Sequence, residues 1–281
     1  MATWIIARLT GRELVRRKLV LALLALTAVV IGVSGWGFSR VPSLHLVGHS
    51  LSPGEIHAAA AQLLLLVMFM FSFVLALTCA FLAAPAIAGE LESGVAQGLL
   101  ARPLRRRELV LGRWLGLSLP IAIYTVLSTT LEFALVRWTT GYWPPQPVAA
   151  EAALLVEGLI LLTLTLSLST RISAITAGVI AVICFGAMWL GGVAGAFGQV
   201  FHNSAISNVG VVSHFLIPTD GLWHAAVFAM EPASFATAAG SGINSSFEAA
   251  SGPTAGYLAW VGVWLVLVLG LGLLSFENRE A

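Results

Sequence analysis

The sequence predicts an all-α integral membrane protein with six transmembrane helices, on three observations. Of its 281 residues, 58% are hydrophobic and 10% charged, where soluble globular chains run at roughly 45–50% and about 25%. Six apolar stretches of about 20 residues run unbroken rather than alternating, which selects helices over a β-barrel. Twelve of the fourteen Lys and Arg lie on one side of those stretches. A soluble domain, a disordered chain and a nucleic-acid binder are excluded as first readings.

Residues 1–18 predict an interfacial helix. Arg8, Arg12 and Arg16 follow i, i+4 spacing on one face, and Ile5 and Leu9 share another. Such a helix lies along a bilayer with its arginines at anionic headgroups. Spans follow at 19–38, 57–84, 109–136, 148–169, 172–196 and 255–275. Each is long enough to cross a hydrocarbon core of roughly 30 Å. Arg16, Arg17 and Lys18 before the first span imitate a signal peptide, but no small-residue cleavage site follows, so the span is expected to be retained.

The basic residues at the N-terminus, in the loop 85–108 with Arg113, at Arg171 and at Arg279 are opposed only by Arg40 and Arg137. The positive-inside rule then puts both termini in the cytoplasm, which requires an even number of spans. The segment 197–254 is external and carries no Lys or Arg. Short helices dipping into the outer leaflet are expected over 200–230. Thr219 or Asp220 would cap one that runs to about Met230, and Pro232 would stop it. Residues 233–254, rich in Ala, Ser and Gly, read as flexible. Trp138, Tyr142 and Trp143 read as an outer aromatic belt.

Two acids fall inside spans. Glu132 lies near the outer end of the third and Glu157 in the outer half of the fourth. Ionisable groups at that depth face a bundle interior or water, so both are candidate pathway residues, with Glu157 expected to line a dimer cavity. Pairing with Arg137 or snorkelling is the structural alternative. All six histidines fall outside, and His45 and His49 could share a helical face. None has a carboxylate or thiol constellation near it in sequence, so no metal site is expected. Cys79 and Cys184 read as apolar packing residues. Gly191 and Gly195 form a GxxxG spacing suited to close helix contact. The alternation Thr163–Ser169 tempts a strand, but a lone strand in a bilayer leaves its backbone unpaired, so helix is expected.

The loop 85–108 is the most informative stretch. Glu90 and Glu92 sit where a short helix would start, Leu99 and Leu100 form an apolar patch, Pro103 ends the helix, and arginines follow. A stop-transfer loop explains the arginines but not the acids, glycine and leucine pair in that order. This order resembles the type-2 ABC transporter permease family. Glu90, Glu92, Gly94, Leu99, Leu100, Pro103, Arg106, Gly112 and Arg113 match its pattern without gaps. Val95 stands where Thr is usual and Arg113 where Lys is usual. Pro218-Thr219-Asp220 also looks like a motif of one branch.

The resemblance implies one permease domain over 1–281 in a bacterial cytoplasmic membrane. It also implies a coupling helix in the loop, reaching from about Glu90 to Leu100, that docks on a separate ABC ATPase. A second permease copy, identical or related, would complete the transporter, and export is the implied direction. ATP and Mg would belong to the partner. The chain holds no P-loop, since its single lysine is Lys18, and no nucleophile-and-base arrangement, so it is expected not to be an enzyme. The rival readings are an ion-gradient-driven transporter, for which no internal repeat is seen, and a non-transporting scaffold or sensor.

Overall fold

A bilayer offers nothing to hydrogen-bond an exposed peptide group, so the apolar runs close their own bonds as helices. The computed structural model describes residues 2–15, 18–43, 45–46, 49–92, 106–231 and 251–278. Its helices are α1 (Ala2–Val15), α2 (Lys18–Arg40), α3 (Pro53–Ala83), α4 (Ala88–Glu92), α5 (Arg106–Thr140), α6 (Pro147–Ser169), α7 (Ala174–Val200), α8 (Ser204–Leu216), α9 (Thr219–Met230) and α10 (Ala255–Glu277). Among the described residues, α2, α3, α5, α6, α7 and α10 are the six long and apolar enough to span a membrane. Between α2 and α3, His45–Leu46 (β1) and His49–Ser50 (β2) form a two-residue antiparallel pair. The helical face expected to unite His45 and His49 is therefore not formed, because Pro42 cannot continue α2.

Local signals set the helix ends. Ser52 and Glu55 make a reciprocal capping box at α3, with Pro53 at the first helical position. Ser173, Asn203 and Thr254 cap α7, α8 and α10 through their side chains. Gly141, at φ 76°, takes the left-handed turn that stops α5. At α9 the cap is Pro218, with no side-chain bond. Thr219 and Asp220 are its first helical residues rather than its caps, a correction to the sequence reading. The Asp220 side chain is committed inward instead, against α7 and α8.

At 35 residues α5 reaches about 52 Å, far longer than the hydrocarbon core. Its first turns are the seat of α1. α6 is the hub, packing against α3, α5, α7, α9 and α10. Its Leu154, Leu161, Leu162 and Leu166 join Leu64, Leu65, Met68 and Leu75 of α3 in the core. Thr163 and Thr165 return their hydroxyls to Leu159 and Leu161, as expected of a helix. α7 and α8 form a tight hairpin. A Cβ on Gly195 would stand 2.6 Å from the Gly210 Cα, and one on Gly198 would strike the Ser207 amide. Tyr257, Trp260 and Trp264 of α10 donate to the carbonyls of Pro218, Phe215 and Leu216, closing the end of α8 and its corner. Tyr142 is not part of an aromatic belt. It is buried, and its hydroxyl bonds the Met230 carbonyl that ends α9.

Candidate functional site

Three polar constellations lie along the bundle. The first is at the arginine-rich end, on either side of residues 93–105. Gly94, Leu99, Leu100 and Pro103 lie outside the described residues, and Glu90 is placed only by its backbone in α4. The flanks are well defined. Glu92 accepts the amide of Ala174, 3.1 Å away, at the first turn of α7. That pairing satisfies an orphan donor and sets a carboxylate at a positive helix end. Arg106 donates to the carbonyls of Phe276 and Glu277 at 3.3 and 3.2 Å, covering the C-terminal end of α10. Arg107 pairs with Glu277. One turn and a half further on, Arg113 donates to Thr10 and to Glu13 of α1, both at 3.1 Å.

α1 crosses α5 at two positions without side chains. A Cβ on Gly112 would meet Ile6 at 2.7 Å, and one on Gly116 would meet the Ala7 carbonyl at 2.6 Å. The Gly112-Arg113 pair is thus a seat plus a tether for the lead-in helix. The reading that an arginine run after Pro103 anchors the next span at the headgroups covers Arg106 and Arg107, with Arg113 close behind. All three instead hold protein partners. Between α1, α2 and α5 opens a cavity of about 1550 Å³, mostly apolar, with Arg8, Arg12 and Glu13 among its lining residues.

The second constellation lies deeper. Glu157 is buried inside the single chain, where Ser72 of α3 donates to its Oε1 at 2.7 Å. Glu132 is buried between α2, α3 and α5, beside Ser34. Neither acid pairs with Arg137, whose guanidinium lies over the Trp143 ring at 5.5 Å. Within the single chain Glu157 faces inward between α3 and α6.

The third constellation gathers His214, Asp220 and His224 at the opposite end. Asp220 is 3% exposed. Its Oδ2 is 3.0 Å from His214 Nδ1 and 3.7 Å from His224 Nδ1. Gly192 of α7 makes the room, since a Cβ there would overlap the carboxylate. Burial raises the Asp220 carboxyl to about 6 against the opposing pull of His214, and burial lowers the His224 imidazole. The expectation that no carboxylate constellation stands near the histidines fails here. The Asp220–His224 half has i, i+4 spacing and was open to a sequence reading, while His214 joins only across the Pro218 corner.

A family model described as ABC-2 family transporter protein matches residues 4–281. No curated protein matches the chain.

Proposed function

We propose that this chain, which belongs to the ABC-2 transporter family, works as the export permease of an ATP-binding cassette transporter whose ATPase is a separate subunit. Its arginine-rich end would face the cytoplasm, with both termini there, by the twelve-to-two distribution of basic residues. Two permease copies, identical or related, would complete the pathway over two ATPases that hold ATP and Mg.

The observation that carries the coupling reading is how residues 93–105 are flanked. The chain entering that stretch is tied through Glu92 to α7, and the chain leaving it through Arg106 and Arg113 to α10 and α1. A push on this loop would therefore load three other helices at their ends. Packed helices respond to such a load by shifting between discrete arrangements, and ATP binding on the partner would bias which one is occupied. Glu90, Gly94, Leu99, Leu100 and Pro103 would supply the docking surface. Glu132 and Glu157 are proposed pathway groups that meet solute when the bundle opens.

Affinity purification of the tagged chain from its native membrane tests this reading. A P-loop ATPase in roughly equal amount, lost on combined replacement of Glu92 and Leu99 by Ala, is the expected result. No ATPase under several mild detergents would overturn it and favour a gradient-driven transporter, with proton flux in Glu157→Gln the next measurement.

A further inference from the structure

The histidine cluster stands apart from the transport reading and has a geometry of its own. The α7–α8 hairpin delivers His214 at the last turn of α8. The chain turns at Pro218, α9 starts, and Asp220 and His224 follow one turn apart. The two imidazole rings lie 5.5 Å apart between centroids. One donor atom from each of the three residues falls within 4.8 Å of the others. Ligands around a tetrahedral ion at bond lengths of about 2.0–2.2 Å are separated by about 3.3–3.6 Å. The separations of 3.0 and 3.7 Å from Asp220 Oδ2 to the two Nδ1 atoms bracket that value. The same Nδ1 atoms stand 3.1 Å from the Gly210 carbonyl and 2.9 Å from the Asp220 carbonyl, contacts that ligation through Nδ1 would replace.

Two further features mark a site rather than an ordinary ion pair. The Asp220 Oδ1, fully buried, has no hydrogen-bond partner among the described residues, and buried polar atoms are rarely left so. The space it occupies exists because residue 192 is glycine. No Lys or Arg occurs anywhere in 197–254 to neutralise the carboxylate.

We propose that His214, Asp220 and His224 are the protein ligands of a binding site for a divalent late transition-metal ion of the Zn²⁺ or Cu²⁺ class, with the fourth position left to water or an outside ligand. Two imidazoles and one carboxylate suit these ions, whereas Mg²⁺ and Ca²⁺ take all-oxygen shells. The ion would pin the first turn of α9 to the last turn of α8 and fix the corner at Pro218.

The test uses the full chain in detergent, stripped with a chelator and titrated with Zn²⁺, then with Co²⁺ as a spectroscopic probe. One ion per chain and a visible Co²⁺ absorption of tetrahedral intensity are expected. His214→Ala and Asp220→Asn should each weaken binding at least about tenfold, while His202→Ala leaves it unchanged. Should Asp220→Asn fail to fold, His224→Gln replaces it, since that ring is partly exposed. No stoichiometric ion on the unmodified chain, or undiminished binding in both His214→Ala and His224→Gln, would overturn the site and leave a hydrogen-bonded cluster only. Neither result bears on whether an ATPase co-purifies.

Discussion

α2 and α6 each have 23 residues, and the apolar stretches they form have nearly equal mean hydropathy, 2.1 and 2.0. Yet within an 18-residue apolar window of each, 6% of the first and 61% of the second is buried. What differs is how many of their small and polar residues find partners on other helices. In α6, Glu157 takes the Ser72 hydroxyl, Thr163 takes the Trp114 indole, and Ser167 donates to the Val268 carbonyl. Gly158 lets Leu75 and Cys79 close in. α2 has fewer such contacts, chiefly Thr27 with Tyr124 and Ser34 beside Glu132. Its Leu21, Leu24, Val29, Val33 and Trp36 stand exposed on the single chain. Lipid is as apolar as leucine, so hydrophobicity decides whether a helix enters the bilayer, and packing with polar bonds decides what it touches there.

The largest break in that comparison should come from leucine truncation. Leu154→Ala, at a fully buried position, should lower unfolding free energy in mixed micelles by about 2–3 kcal/mol through the cavity it leaves. Leu24→Ala, at a half-exposed position, should stay within about 0.5 kcal/mol. Equal losses would contradict the assignment of α6 as hub. Next in size is Ser72→Ala, which removes the donor to Glu157. Inter-helix bonds in membranes average about 0.6 and reach about 1.7 kcal/mol, and a buried carboxylate belongs towards the upper end. Smaller again is Arg113→Gln. With 13% of its side chain exposed, it tethers α1 through Thr10 and Glu13. Its loss should destabilise by about 0.5–1 kcal/mol and speed hydrogen exchange in Ala2–Val15. Arg107→Gln, whose side chain lies in solvent, should leave that exchange unchanged.

The spans were legible because their signal is additive along the chain, and each observed helix falls within a few residues of its expected stretch. α9 was legible for a similar reason, with its end at Met230. Tertiary partners were not. Arg106 in an arginine run looks like a headgroup anchor until the end of α10, 170 residues later, is brought beside it. Glu92 caps a helix that begins 82 residues away. Tyr142 has the composition of an interfacial aromatic, and only the position of α9 turns it inward. His214 lies six residues before Asp220, a spacing with no meaning until the angle at Pro218 is known. The resemblance filled part of this gap, since it drew attention to Gly112 and Arg113 before their contact with α1 could be seen.

An effect of similar size discriminates between the two helices by its sign. Gly32 of α2 faces open space, with nothing within 4 Å of where a Cβ would stand, whereas a Cβ on Gly158 of α6 would lie 3.2 Å from Leu75 and 3.4 Å from Cys79. Replacing an unhindered helical glycine by alanine gains roughly 0.5–1 kcal/mol by removing backbone freedom. Gly32→Ala should therefore raise stability by about that amount. At Gly158 the same gain is opposed by pushing Leu75, a fully buried side chain, so Gly158→Ala should fall below Gly32→Ala by about 1 kcal/mol. Unfolding by denaturant in detergent, repeated in bilayer vesicles, measures both. A gain at Gly32 in detergent that turns into a loss in vesicles would mean that another helix covers α2 in the membrane. The exposed face of α2 would then be a contact between chains rather than a lipid-facing one.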